Sequence, residues 1–250
     1  MTLISRVLGL ARDLLIARFL GTGVMADAFF AAFRVPNLFR RLLGEGALSA
    51  AFIPPFTASL SSGDREGARR LAQSVLNLLA LVSGAITALG VVFAPLLAFI
   101  FYPGFRSDPG KLELTGRLLA IMFPYVMLSA LTGLGMAALN GLRKFWAAAF
   151  APAMLNICLL AVLLTTGSGE ALPMRLAWAV LAGGILQVAL LWSELKRAGM
   201  SLWPGVRAMH PEVRKVCLRI LPAIPGLAVY QINIFVDSVC ASFLGEGAVS

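Results

Sequence analysis

Charged side chains are scarce in this sequence. Asp, Glu, Lys and Arg make up 13% of its 250 residues, whereas they make up about 25% of a typical soluble domain. Hydrophobic residues reach 59%, and the mean hydropathy is +0.87. A soluble core of this length cannot bury so much apolar surface. The composition therefore argues against a soluble enzyme, a disordered protein and a nucleic-acid-binding domain.

Residues that supply most enzyme chemistry are also few. The one histidine, His210, precedes Pro211 in a basic segment without a carboxylate cluster. The three cysteines, Cys158, Cys217 and Cys240, show no paired spacing, which favours a role as small apolar side chains. We therefore expect no enzyme acting through acid–base or metal chemistry. No nucleotide-binding motif is present, so we expect an ion gradient or the membrane potential as energy source, and no cofactor other than a sodium ion.

Long apolar runs dominate the chain. A helix of about 20 residues spans the roughly 30 Å of hydrocarbon in a bilayer. Five runs are long enough, at residues 71–102, 114–139, 145–164, 172–192 and 216–244. Two more, at residues 3–20 and 26–60, are interrupted by charges. The sequence therefore predicts an all-α integral membrane protein with about seven transmembrane helices, including a kink at Pro95 and a bend at Pro222 and Pro225.

The basic residues are concentrated in alternate connecting segments. Residues 61–70, 141–144 and 193–219 are rich in Lys and Arg, whereas residues 103–116 and 165–173 are poorer in them. By the positive-inside rule the basic segments and the N-terminus are cytoplasmic, and residues 21–25 face outward. The stretch 194–219 is either a surface helix or a solvated connector.

The first 45 residues carry an unusual set of charges for apolar helices. They are Arg6, Arg12, Asp13, Arg18, Asp27, Arg34, Arg40, Arg41 and Glu45. Each charge at the centre of a bilayer helix costs about 2.5–3.5 kcal/mol. These side chains must therefore line a wet cavity, pair with one another or reach an interface, and interface anchoring is an open alternative for Arg18 and Arg41.

Helical spacing places the charges of the first helix on one surface. At about 100° per residue, Arg6 and Asp13 share a face, and Arg12 lies beside them. Asp13 is suited to neutralise Arg12. The arrangement predicts a cationic, partly compensated surface inside the membrane, and an arginine fork suits phosphate or carboxylate.

The second helix carries a polar stripe of its own. Arg34, Asn37, Arg41 and Glu45 follow an i, i+3, i+7, i+11 pattern, and Arg40 flanks it. With Asp27, which precedes the stripe, these residues complete the predicted anion-binding surface.

The end of the chain repeats its beginning. A shift of 224 places aligns residues 12–26 with residues 236–250 and pairs six identical residues, including Asp13 with Asp237. Helix 7 is thus predicted to be a second copy of helix 1, as in transporters with parallel repeats. We expect the chain to be roughly the first half of a longer transporter. An acid in the apolar helix 7 must be protonated, paired across helices or bound to a cation, and Asn233 lies one turn before it.

Residues 5–54 carry a specific resemblance. The stretch SRVLGLARDLLIARFLGTGVMADAFFAAFRVPNLFRRLLGEGALSAAFIP resembles the opening of the MurJ/MviN lipid II flippases, members of the multidrug/oligosaccharidyl-lipid/polysaccharide exporter superfamily. The resemblance sharpens again at residues 231–237. It implies fourteen helices in two lobes around a central cavity. This chain would supply the N-lobe with helices 1–6 at residues 1–197, a cytoplasmic loop at 198–216 and helix 7 of the second lobe at 217–250.

The resemblance also implies roles for individual residues. Arg6, Arg12 and Arg40 correspond to arginines that contact or position the pyrophosphate of the lipid, with Asp13 beside Arg12. Ala17 falls at the level of a lateral portal for the lipid tail. Asp237 matches an acid that contributes to a sodium site in part of the family.

The implied function is the movement of lipid II from the inner to the outer leaflet of the bacterial inner membrane by alternating access. The expected partners are lipid II, membrane lipids and other cell-wall synthesis proteins, and no nucleic acid. The alternatives are a flippase for another polyprenyl-linked polysaccharide and a drug/cation antiporter of the same superfamily. The excess of arginine argues against a cation exporter.

Overall fold

The computed structural model describes residues 2–21, 23–44, 47–203 and 211–220, with residues 229, 233, 234, 236, 237 and 239–243. In these ranges the chain forms helices and no strand, which confirms the predicted all-α class. The α-helices are α1 (Thr2–Leu20), α2 (Val24–Gly44), α3 (Ala47–Ser61), α4 (Arg65–Val92), α5 (Ala94–Phe101), α6 (Pro109–Met122), α7 (Tyr125–Gly141), α8 (Phe145–Thr166), α9 (Leu172–Arg197) and α10 (Glu212–Ile220). A 3₁₀ helix, Pro103–Ser107, lies between α5 and α6.

Four helical segments are long and apolar enough to cross a membrane. They are Arg65–Val92, Pro109–Gly141, Phe145–Thr166 and Leu172–Arg197. They correspond to four of the five uninterrupted runs in the sequence. Most of the fifth, residues 216–244 with Pro222 and Pro225, lies outside the described residues.

The run predicted as one helix at residues 26–60 is described as two helical segments, and residues 45 and 46 between them lie outside the described residues. The structure has two helices there, α2 and α3. The sequence between them reads Gly44-Glu45-Gly46, and glycine is a poor helix former. The all-helical class of the predicted N-lobe stands, and four of its segments are long and apolar enough to cross a membrane.

The predicted kink at Pro95 is confirmed. The run at residues 71–102 is divided into α4 and α5 at Phe93, and Pro95 lies in the first turn of α5. Proline has no N–H to donate and its ring clashes with the preceding turn. At its other end α4 begins earlier than predicted, because the Asp64 carboxylate accepts a 2.8 Å hydrogen bond from the N–H of Gly67.

The predicted helix at residues 114–139 also differs from the structure. It begins at Pro109, where Asp108 caps α6, and it breaks at Phe123 and Pro124 before α7. The predicted loop at residues 103–116 is therefore largely helical. Pro124 is the feature of the sequence that indicates this break. The continuous apolar pattern around it obscures that indication.

The last helices agree better with the sequence. Helix α8 begins at the predicted residue, and α9 extends past the predicted end at residue 192 to Arg197. Helix α10 begins within the stretch 194–219, ends one residue beyond it, and buries Val213 and Val216 against α3 and α4. It supports the surface-helix alternative and crosses the predicted boundary at residue 216.

Close packing of α8 against α9 builds the wall of the site. Gly183 in α9 lies so near α8 that an added Cβ would come within 2.8 Å of the Leu155 Cα. Small residues allow this approach between apolar helices. Helix α1 also packs on α8, and α2 packs on α6 and α7. The first two helices are thereby held beside the centre of the bundle.

Candidate functional site

The Arg12 guanidinium is held from two sides. Its Nε and Nη2 donate hydrogen bonds of 2.9 and 2.7 Å to Oδ1 of Asp13, and its Nη1 donates one of 2.8 Å to Oδ1 of Asn156 in α8. Asn156 is buried. Arginine has five N–H donors. Three are used here, so one N–H on each terminal nitrogen remains available to a ligand.

Arg6 lines a cavity of about 520 Å³ at one end of α7 and α8. The other lining residues are Met136, Asn140, Phe145, Ala148, Ala149 and Pro152. The Arg6 side chain is exposed. It makes no ion pair or hydrogen bond to any residue in the described part of the chain.

Arg40 lines a second, smaller cavity of about 70 Å³. The other lining residues are Tyr125, Ser129, Thr132, Gly133, Met136, Pro152 and Gln187. Nε of Arg40 donates a 2.8 Å hydrogen bond to Oδ1 of Asn37, so these two polar residues of α2 are linked. The Thr132 hydroxyl is buried without a hydrogen-bond partner among the described residues. A cavity of this size holds a few water molecules.

The two cavities adjoin. Met136 and Pro152 line both, so Arg6 of α1 and Arg40 of α2 each line a cavity that is bounded by the same two residues. Asn156, the partner of Arg12, lies one helical turn beyond Pro152 in α8. The structure therefore gathers Arg6, Arg12 and Arg40 in one region of the bundle. With Asp13, the three arginines carry a formal net charge of +2, three positive charges less one negative.

Asp27 lies apart from this region. Its carboxylate forms a 2.7 Å ion pair with Nζ of Lys111 in α6, and both side chains are buried. The Lys111 ammonium also lies 4.2 Å from the centre of the Phe105 ring. Along α2, Asp27 is about 20 Å from Arg40 at 1.5 Å per residue. The structure thus does not bring Asp27 to the arginines, and Lys111 and Asn156 are the partners that sequence reasoning missed.

The remaining predicted residues are placed as follows. Arg34 is half-buried on α2, and Ala17 and Arg18 are exposed on α1. The Arg18 guanidinium lies 5.9 Å from the centre of the Phe19 ring. The Arg41 side chain and Glu45 lie outside the described residues.

Asp237 and Asn233 are both exposed and helical. Among the described residues, no three His, Cys, Asp or Glu side chains group as metal ligands.

Comparison with known proteins matches the chain to one family. The model of the family "MurJ: Lipid II flippase MurJ" matches residues 16–250. A probable lipid II flippase MurJ of Rhizobium tropici is 41% identical over 254 residues, covering 100% of this chain and 48% of the relative. The lipid II flippase MurJ of Burkholderia cenocepacia is 36% identical, covering 100% and 49%.

A solved structure with the same family name has a similar fold. A lipid II flippase MurJ in an inward closed conformation superposes with a TM-score of 0.77 at 26% identity, covering 99% of this chain and 51% of that protein. The chain spans about half the length of the curated relatives that it matches.

Proposed function

Because this chain belongs to the lipid II flippase MurJ family, we propose that it forms the N-terminal lobe of a flippase that moves lipid II across the bacterial inner membrane. The chain is a multi-pass membrane protein. The observation that carries the proposal is the gathering of Arg6, Arg12 and Arg40 beside two adjoining cavities of an apolar bundle.

The chemistry of the cargo fits these arginines. The pyrophosphate of the lipid is doubly anionic, and transfer of such a group into hydrocarbon is prohibitively costly without compensation. The arginine cluster would supply the compensating positive charge. The two unused N–H groups of Arg12 would bind phosphate oxygens, with Asp13 and Asn156 holding the guanidinium in place.

The rest of the transport cycle belongs to the same proposal. The lobe would rock against the second lobe around the bound pyrophosphate, while the polyprenyl tail remains in the bilayer beside Ala17. The N-terminus would be cytoplasmic, as the positions of the basic loops favour. Asp237 would be a sodium ligand and would couple transport to an ion gradient. Other cell-wall synthesis proteins would supply and remove the lipid.

Binding of lipid II by purified protein tests the assignment of the arginines. The protein used is a full-length flippase that carries this chain as its N-terminal half. Arg12→Ala and Arg40→Ala should each weaken lipid II binding at least tenfold, since each removes hydrogen bonds to a charged group. Arg18→Ala is the matched control, because Arg18 is exposed on the same helix as Arg12. Equal binding by all three variants would overturn the assignment.

A further inference from the structure

The cavity beside Arg6 has a composition that the binding of pyrophosphate does not explain. Its wall consists mainly of apolar side chains, with Asn140 and Arg6 as the polar lining residues. Phe145, one of the residues that line the cavity, is 60% exposed. The Asn140 amide is half-buried and has no hydrogen-bond partner among the residues that the structure describes. A pyrophosphate site would be lined by donors rather than by a phenyl ring and methyl groups.

We propose that this cavity is a subsite for the sugar rings attached to the pyrophosphate, with Phe145, Asn140 and Arg6 as its contact residues. This proposal rests on the proposed function. A pyranose ring has an apolar face of C–H bonds and a rim of hydroxyl and amide groups. Phe145 offers an aromatic face for the first, and the Asn140 amide both donates and accepts hydrogen bonds for the second.

The size of the cavity suits such a ligand. Its volume of about 520 Å³ falls within the range of roughly 300–1,000 Å³ found for sites that enclose ligands of this order of size. The cavity of about 70 Å³ beside Arg40 holds no sugar ring. The larger cavity, beside Arg6, therefore has room for sugars of the head group. The smaller cavity, beside Arg40, has room only for water molecules.

The position of the cavity along the bundle also fits. Arg6 precedes Arg12 by six residues of α1, which corresponds to about 9 Å along the helix axis. A pyrophosphate bound by Arg12 and Arg40 would thus have the Arg6 cavity one sugar ring or two further along. Asn140 and Phe145 flank the connection between α7 and α8. The head group would therefore point toward that end of the lobe.

The competing explanation is that Phe145 is an aromatic anchor at the membrane interface, as such residues often are. The next residue, Trp146, separates the two explanations. It lies at the same depth and is also exposed, but it does not line the cavity, and its indole N–H donates a 3.2 Å hydrogen bond to Glu194. An anchoring role predicts similar effects of replacing either residue, whereas a sugar subsite predicts an effect at Phe145 alone.

The test compares two lipids that share the pyrophosphate and differ in the sugars. Lipid II and undecaprenyl pyrophosphate are bound to the full-length protein in detergent, with phosphatidylglycerol as reference. Phe145→Leu and Asn140→Leu should each weaken lipid II binding about threefold to tenfold and leave undecaprenyl pyrophosphate binding unchanged. Trp146→Leu should change neither. Ala149→Leu, which narrows the cavity, should act like the first two and gives a second line of evidence if one of them folds poorly.

The possible outcomes distinguish the sugar subsite from the anchoring role of Phe145 and from a failure of the proposed function. Equal losses for both lipids, or no loss for either, would overturn the sugar subsite while leaving the pyrophosphate site intact. An effect of Trp146→Leu equal to that of Phe145→Leu would favour the anchor. If the unaltered protein binds lipid II no better than phosphatidylglycerol, the proposed function itself fails, and that result is distinguishable because it precedes any substitution.

Discussion

Nη1 of Arg12 in α1 donates a 2.8 Å hydrogen bond to the side-chain oxygen of Asn156 in α8, across 144 positions of sequence. Without this bond the guanidinium would be oriented by Asp13 alone, its exposed neighbour in the same helix. The bond links the first helix of the lobe to the bundle and sets the direction of the remaining N–H groups. Asn156 is therefore a positioning residue for Arg12.

Replacing Asn156 tests that role. Asn156→Leu keeps the approximate size of the side chain and removes the acceptor, so lipid II binding should weaken by about tenfold, the effect of losing a hydrogen bond to a charged group. Binding measured on the full-length protein checks this. Thr165→Ala is the control, because Thr165 is exposed on the same helix and its hydroxyl donates to the Ala161 carbonyl. Binding unchanged by Asn156→Leu would remove Asn156 from the site.

The buried pair of Asp27 and Lys111 makes a prediction about stability. Lys111→Met should leave the Asp27 carboxylate buried without this partner and destabilise the protein by about 3–5 kcal/mol. The double replacement Asp27→Leu with Lys111→Met should recover most of that loss. Thermal unfolding in detergent measures both.

The exposed pair of Glu113 and Arg117 is the control for this experiment, since it lies in the same helix as Lys111. Breaking it with Arg117→Met should cost no more than about 1 kcal/mol. A loss for Lys111→Met as small as that would show that Asp27 does not depend on Lys111.

The orientation of the lobe is testable by labelling single cysteines from outside intact cells. Ser168→Cys should react with an impermeant thiol reagent, and Ser62→Cys should react only after permeabilisation. Both positions are exposed, and the three native cysteines are first replaced because Cys240 is exposed as well. Ser62 is preferred to Gly67 of the same basic segment as the site of the cysteine, because a Cβ at Gly67 would lie 2.0 Å from the Asp64 carboxylate that caps α4. Strong labelling of Ser62→Cys in intact cells would invert the topology.

Asp237 provides a prediction about ion coupling. Its exposed carboxylate and the Asn233 amide one turn earlier both offer oxygen ligands. Asp237→Asn should reduce the stabilisation by sodium of the full-length protein more than it reduces lipid II binding. Thermal unfolding with sodium or with choline as the cation measures the first effect. An undiminished sodium response would leave Asp237 as a protonated or paired acid.

Local signals in the sequence predicted much of the lobe. The apolar runs located α8 and α9, and Pro95 marked the division between α4 and α5. Arg12 and Asp13 are adjacent in sequence, so their pairing could be foreseen. The bond of Arg12 to Asn156 and the pair of Asp27 with Lys111 could not, because each joins helices that are distant in sequence, and periodicity within one helix carries no information on its neighbours. The polar Asn156 within an apolar run was the one available signal.

In the proposed transport cycle, Arg12 binds the pyrophosphate through the geometry of its guanidinium. Translocation of labelled lipid II in liposomes containing the full-length protein tests this most directly. We predict that Arg12→Lys, which keeps the charge but loses the planar fork, abolishes translocation and growth complementation, whereas Arg18→Lys retains both. Translocation by Arg12→Lys at the rate of the unaltered protein would contradict the account.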